Sequence, residues 1–181
     1  MAVRTPVFTY DDLARMPNDG KRYELRDGEL VVSPAPTTEH QRVGARLGAL
    51  LFRAEEAGFG QVFYAPTDVV FGRHKSTQPD LLFIRRERLH IVTRANIQGP
   101  PDLIVEILSP STREDDLGWK MTLYAREGVP HYWVADPDAK TVQPYTLREG
   151  GYIAEPTLRP GDTLACPLFP GITADVAWLF P

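Results

Sequence analysis

One stretch constrains this chain more than any other: Leu103-Ile104-Val105-Glu106-Ile107-Leu108, six residues that are apolar throughout except for a single carboxylate. Such a run fits a central strand covered on both faces. A glutamate left bare there would raise its pKa or cost on the order of several kcal/mol, so a metal, a lysine or a hydrogen-bond network must account for it. The bland alternative is that Glu106 reaches the exposed strand end and meets solvent or an arginine. Downstream, Ser111-Thr112-Arg113-Glu114 fits a capping box, and a helix should run from there to about Glu127, with Gly128 closing it. Pro130 to Ala135 then reads as a second buried strand. Strand, helix and strand in that order and length predict a βαβ unit with a right-handed parallel crossover.

The flanking sequence supplies more of the sheet. Thr9-Tyr10-Asp11-Asp12 opens a short helix ended by Pro17-Asn18-Asp19-Gly20. Asp27-Gly28 between Tyr23 to Leu25 and Leu30 to Val32 predicts a type I′ hairpin, with Arg26 facing Glu29 and Leu25 facing Leu30. After Pro34-Ala35-Pro36, Thr37 or Thr38 caps a helix to about Ala57 whose Val43, Leu47, Leu50 and Leu51 mark a buried face. Strands follow at Gln61 to Tyr64, Asp68 to Phe71 and Asp80 to Ile84 in a meander, with Arg73-His74-Lys75-Ser76-Thr77 as a polar loop. Thr141 to Leu147 extends the sheet, Tyr152-Ile153 and Thr163-Leu164 are peripheral strands, and Ala174 to Leu179 is a closing helical turn.

At 181 residues and 43% hydrophobic content, the chain suits one domain over residues 1–181. The lone Cys166 cannot pair internally, and neither a signal-peptide pattern nor a run of about 18 apolar residues occurs, so a soluble cytoplasmic protein without a membrane span is expected. A net charge of −4 gives no global field for nucleic acid and argues against a general DNA coat. It does not exclude a nuclease, because a bound divalent cation removes a carboxylate site's repulsion for phosphate. Arg85, Arg86, Arg88, His90 and Arg94 offer a local rim for a phosphate backbone, or simply solvated charge.

Three groups carry the chemistry. Asp80, at the start of an apolar strand, and Glu106 could hold a divalent metal and activate water beside it. Lys120 falls in an i, i+3, i+7 stripe with Leu117 and Tyr124, which turns it toward the sheet and toward both carboxylates. The plain alternative is an Asp116–Lys120 pair on a solvated face, worth about 0.3–0.5 kcal/mol. His40, in a helix's first turn, suits a neutral imidazole that ligates or accepts a proton, and Glu24 lacks a simple cross-strand partner.

Taken in order, Tyr23-Glu24-Leu25-Arg26-Asp27-Gly28-Glu29-Leu30, Ser33-Pro34-Ala35-Pro36 with His40, Gln78-Pro79-Asp80, Pro101 to Thr112, Asp116 with Lys120, and Gly128 to Pro137 resemble the Uma family over roughly residues 8–155. That family comprises bacterial endonucleases of the PD-(D/E)XK superfamily. The resemblance implies an α/β (α+β) restriction-endonuclease-like fold: a mixed central sheet flanked by helices, with an N-terminal β-hairpin. It implies Asp80 and Glu106 as ligands of Mg²⁺ or Mn²⁺, DNA as substrate, and Glu24 and His40 as supporting groups. Leu108 stands where the superfamily pattern places its lysine, and the resemblance assigns that role to Lys120. A homodimer is compatible with cutting two strands. A catalytically inactive nucleic-acid-binding or regulatory module, and a hydrolase of another phosphoester, remain as alternatives on the same fold.

Overall fold

Thr9 caps α1 (Tyr10–Leu13), its hydroxyl and the Asp12 carboxylate making the reciprocal bonds of a capping box. Asp27 and Gly28, at φ 48° and 88°, then turn β1 (Arg22–Arg26) into β2 (Glu29–Ser33), as a type I′ turn requires. The register pairs Arg26 with Glu29 and Leu25 with Leu30, as the turn predicts. The computed structural model describes residues 7–17, 19–33, 35–149 and 151–180. Asn18 and Pro34, expected in turns, lie outside them.

Thr37 accepts the His40 N–H to cap α2 (Thr38–Glu56), and Gly58 at φ 82° follows its end. Four strands follow: β3 (Gly60–Tyr64), β4 (Val69–Gly72), β5 (Lys75–Thr77) and β6 (Leu81–Arg85). Here the expected meander is corrected. β3 pairs directly with β6, while β4 and β5 form a hairpin that pairs with β1 in a different sheet. The supposed polar loop thus contains β5, whose Ser76 and Thr77 are buried. Ladder pairing and neighbours decide strand formation there, against the polarity of the side chains.

β7 (Ile97–Gln98) lies parallel to β4, and β8 (Leu103–Ile107) antiparallel to β6. The next helical stretch has three parts: α3 (Arg113–Asp115), a π-helical turn (Asp116–Lys120) and α4 (Met121–Glu127), closed by Gly128 at φ 86°. The expected capping box does not form. Thr112 is the N-cap and makes no side-chain cap bond, while the Ser111 hydroxyl meets that of Ser109. The wider π turn also shifts the helix's phase. Leu117 is 39% exposed and Asp116 1%, so the buried stripe runs Asp116, Lys120, Tyr124 rather than through Leu117.

β9 (His131–Asp136) lies parallel to β8 and completes the βαβ unit. β10 (Thr141–Arg148) and β11 (Gly151–Ala154) extend the sheet antiparallel. β12 (Thr163–Leu164), β13 (Ala174–Asp175) and α5 (Val176–Leu179) close the described chain. The main sheet has the order β11-β10-β9-β8-β6-β3, and the second β2-β1-β5-β4-β7. Leu81, Phe83, Leu103, Val105 and Ile107 pack with α2 and α5 on one face. Leu82, Ile84 and Ile104 pack on the other with Val69, Tyr124 and Tyr132. The two-residue period of a strand therefore assigns Glu106 to the face beneath α4 and the second sheet. No described helix is long and apolar enough to cross a membrane.

Candidate active site

Sheet register brings the two acidic residues together. Leu81 pairs with Val105, so one step further along these antiparallel strands Asp80 stands opposite Glu106. The Asp80 N–H donates to Glu106 Oε2 at 3.2 Å, and the Ile107 N–H donates to Asp80 Oδ2 at 2.9 Å. Two side chains then bracket the Asp80 carboxylate. Arg22 Nη1 donates to Oδ1 at 2.8 Å from β1, and His40 Nε2 lies 2.9 Å from Oδ2 on the first turn of α2.

Lys120 enters from the π turn. Its Nζ lies 3.2 Å from Glu106 Oε1, 3.2 Å from Asp116 Oδ1 and 3.4 Å from Glu24 Oε1. Tyr124 Oη donates to Glu106 Oε1 at 2.7 Å, and the Gln78 N–H donates to Glu24 Oε1 at 2.8 Å. Asp80, Glu106, Lys120, Glu24 and His40 thus line one cavity of about 260 Å³. The Asp116–Lys120 pair is buried inside it, not set on a solvated face.

Arg22 and Asp116 are two members of this cavity to which the sequence reading gave no role in the site. Their signals lay in spacing. Arg22 and Glu24 are two apart on one strand, and Asp116 is four before Lys120, so each shares a side with a residue already singled out. The expected basic rim is corrected: Arg85, Arg86, Arg88, His90 and Arg94 do not line the acidic cavity. They follow the far end of β6 from Asp80, where Arg85 and Arg88 bind buried Asp102.

Charge is unevenly matched in the cavity: Glu24, Asp80, Glu106 and Asp116 face only Arg22 and Lys120, plus the His40 ring. Burial pushes the Glu106 carboxyl well above its usual range; Lys120 pulls it down, and the nearby Asp116, Asp80 and Glu24 carboxylates push it up again. Asp116 is raised too, chiefly by burial. Asp80 goes the other way. Burial would raise it, but the hydrogen bonds and charges of His40 and Arg22 together hold it below the ordinary carboxylate range. Burial works against the Lys120 ammonium, yet Glu106, Glu24 and Asp116 keep it firmly protonated.

The donor chemistry suits a hard divalent cation, which takes carboxylate oxygens. Glu24 Oε2 is buried without a hydrogen-bond donor, and Asp116 Oδ1 meets only the Lys120 charge. Among the described residues no three His, Cys, Asp or Glu side chains form a ready-made ion cage. Lys120 stands between Glu24, Glu106 and Asp116, and Arg22 lies against Asp80.

This geometry sits in a fold with known relatives. A solved structure from Anabaena variabilis, described as a "putative nuclease belonging to DUF820", superposes with a TM-score of 0.80 over 96% of this chain and 97% of that one, at 20% identity. That likeness shows that the two chains share a fold. A search of curated proteins finds no match. The family model Uma2, described as "Putative restriction endonuclease", matches residues 10–177. The chain belongs to the Uma2 family.

Proposed function

We propose that the chain is a metal-dependent endonuclease that hydrolyses DNA phosphodiester bonds at the cavity between β6, β8 and the π turn. The single observation that carries this reading is the surplus of four carboxylates over two obligate cations in an open cavity. Family membership and the shared fold support it. Asp80 and Glu106 would hold Mg²⁺ or Mn²⁺, with Glu24 beside them as a further oxygen donor. When bound, such an ion neutralises phosphoryl charge and lowers the pKa of a coordinated water.

The chain's own residues supply the rest. Arg22 fixes the Asp80 carboxylate and keeps it ionised, and Tyr124 fixes that of Glu106. Lys120 brings a permanent positive charge to the point where the phosphate's negative charge grows during attack. His40, against Asp80 at the cavity wall, is the group placed to accept or relay a proton. A cytoplasmic location agrees with DNA as substrate, and two copies would serve to cut both strands.

A second reading has one observation in its favour. Asp80 already accepts from Arg22, His40 and Ile107, so the network is self-satisfied on that side. Such a network suits a non-catalytic binding module, or a hydrolase acting on a different phosphoester. The deciding experiment is cleavage of supercoiled plasmid and single-stranded DNA with Mg²⁺, Mn²⁺ or EDTA, with Glu106→Ala purified in parallel. Cutting that needs the metal and disappears in the variant is the expected result. Calorimetric metal binding with no cutting of either DNA would reverse it.

A further inference from the structure

The Arg22–Asp80 pair and the His40 ring form a wall with a cavity on each side. Beyond the acidic cavity lies a second one of about 170 Å³, sharing Arg22, His40 and Asp80 and closed by Gln41, Gly44 and Ala45 of α2 and Tyr64 of β3. Tyr64 ends the edge strand of the main sheet, and among the described residues no further strand lies beyond it. It pairs with Leu81, and the N–H of the next residue, Ala65, donates to the Asp80 carbonyl at 3.1 Å. The Tyr64 backbone is therefore one ladder step from Asp80, and its ring lies on the α2 face, in the cavity that Asp80 also lines.

Tyr64 is held and open at once. Its Oη donates to the Gly48 carbonyl at 3.4 Å, and Cε1 lies 2.6 Å from where a Cβ on residue 48 would sit, so only glycine seats the ring there. Yet the residue is 46% exposed. Gly44 and Ala45 keep the opposite wall low, and Gln41, exposed at its rim, offers both an amide donor and a carbonyl acceptor.

We propose that this second cavity is a subsite for the base of an unpaired nucleotide adjoining the phosphate at Asp80, with the Tyr64 ring as its stacking platform and Gln41 bonding its edge. The inference rests on the nuclease reading and adds a substrate class: single-stranded or locally unpaired DNA. Inside a duplex both faces of a base are covered by its neighbours, so stacking on a protein ring first requires leaving the helix at a cost of about a few kcal/mol. A single strand avoids that cost. Every base has a π face, so the platform tolerates sequence. With a net charge of −4, stacking rather than a basic track supplies the affinity, and the salt dependence is shallow.

The test is a fluorescence titration of a short single-stranded oligodeoxynucleotide carrying 2-aminopurine, with Ca²⁺ replacing Mg²⁺ and Mn²⁺ so that the carboxylates are neutralised, and with the DNA checked for cutting on a gel afterwards. Its blunt duplex serves as comparator. The single strand binds more tightly and its fluorescence is quenched. Tyr64→Ala weakens binding about 5- to 150-fold, the range of one base–aromatic contact, and removes the quench. Tyr64→Phe keeps both, and Gln41→Ala, at an exposed helix position that leaves the fold intact, weakens binding a few-fold. Unchanged binding by folded Tyr64→Ala, or tighter binding of the duplex, overturns the subsite alone. A wild-type protein that neither binds nor cuts either DNA overturns the nuclease reading as well.

Discussion

The two ends of β8 handle buried negative charge in opposite ways. Just before the strand, Asp102 accepts the Arg85 N–H and Nε, both at 2.9 Å, and Arg88 Nη1 at 3.0 Å. One anion there has two cations. Near the other end Glu106 shares its surroundings with three more carboxylates and only Lys120 and Arg22 as obligate cations. The first end is electrostatically closed and faces no cavity of the site, while the second carries surplus charge beside an opening. A buried carboxylate that is over-matched holds a fold together; one that is under-matched in a cavity is poised for a cation or a reaction.

That contrast makes substitutions at the two ends differ in kind. The largest effect is expected for Glu106→Gln, which should lower metal-dependent DNA cleavage by at least about 100-fold, read on plasmid over a fixed time course. Next is Lys120→Met. Removing the ammonium leaves Glu24, Glu106 and Asp116 buried without their shared cation and should cost about 3–5 kcal/mol in urea unfolding. Wild-type stability in that variant would mean that the carboxylates do not depend on Lys120.

At the closed end Asp102→Asn should cost about 1–3 kcal/mol and leave cleavage intact, because the partly exposed Arg85 and Arg88 can turn to solvent. Loss of cutting there would erase the distinction between the ends. The smallest effect belongs to the Arg113–Asp136 pair, at 2.7 Å. Burial would raise Asp136, but the Arg113 contact together with the Ala139 and Asp138 N–H groups holds it below the usual value. Its stabilisation, about 0.5 kcal/mol or less, is present above the unfolded pKa of about 3.9 and fades as pH falls through the lower folded pKa. Unfolding curves of wild type and Asp136→Asn should accordingly differ slightly at neutral pH and converge in acid.

Legibility followed locality. The Asp27-Gly28 hairpin, the Thr37 cap and the βαβ unit were readable because a few adjacent residues decide each of them. Asp80, Glu106 and Lys120 were readable because each broke an apolar pattern, and the structure gathers them in one cavity. The β4–β5 hairpin crossing to a second sheet was not, since its partner β1 lies about fifty residues earlier and polar Ser76 and Thr77 masked a strand. The π turn was equally hidden. One widened turn moves Asp116 inward and Leu117 outward, and no local propensity announces it. Arg22 was overlooked because its partner Asp80 is 58 residues away.

Cleavage and thermal unfolding measured together on Glu106→Gln, beside Asp102→Asn, test the central claim most directly. Glu106→Gln should melt at or above the wild-type temperature, since it removes one of the competing buried charges, while its cutting is lost. Asp102→Asn should melt lower and still cut. A Glu106→Gln protein that cuts DNA, or one that loses stability as Asp102→Asn does, would contradict the assignment of the reaction centre to this end of β8.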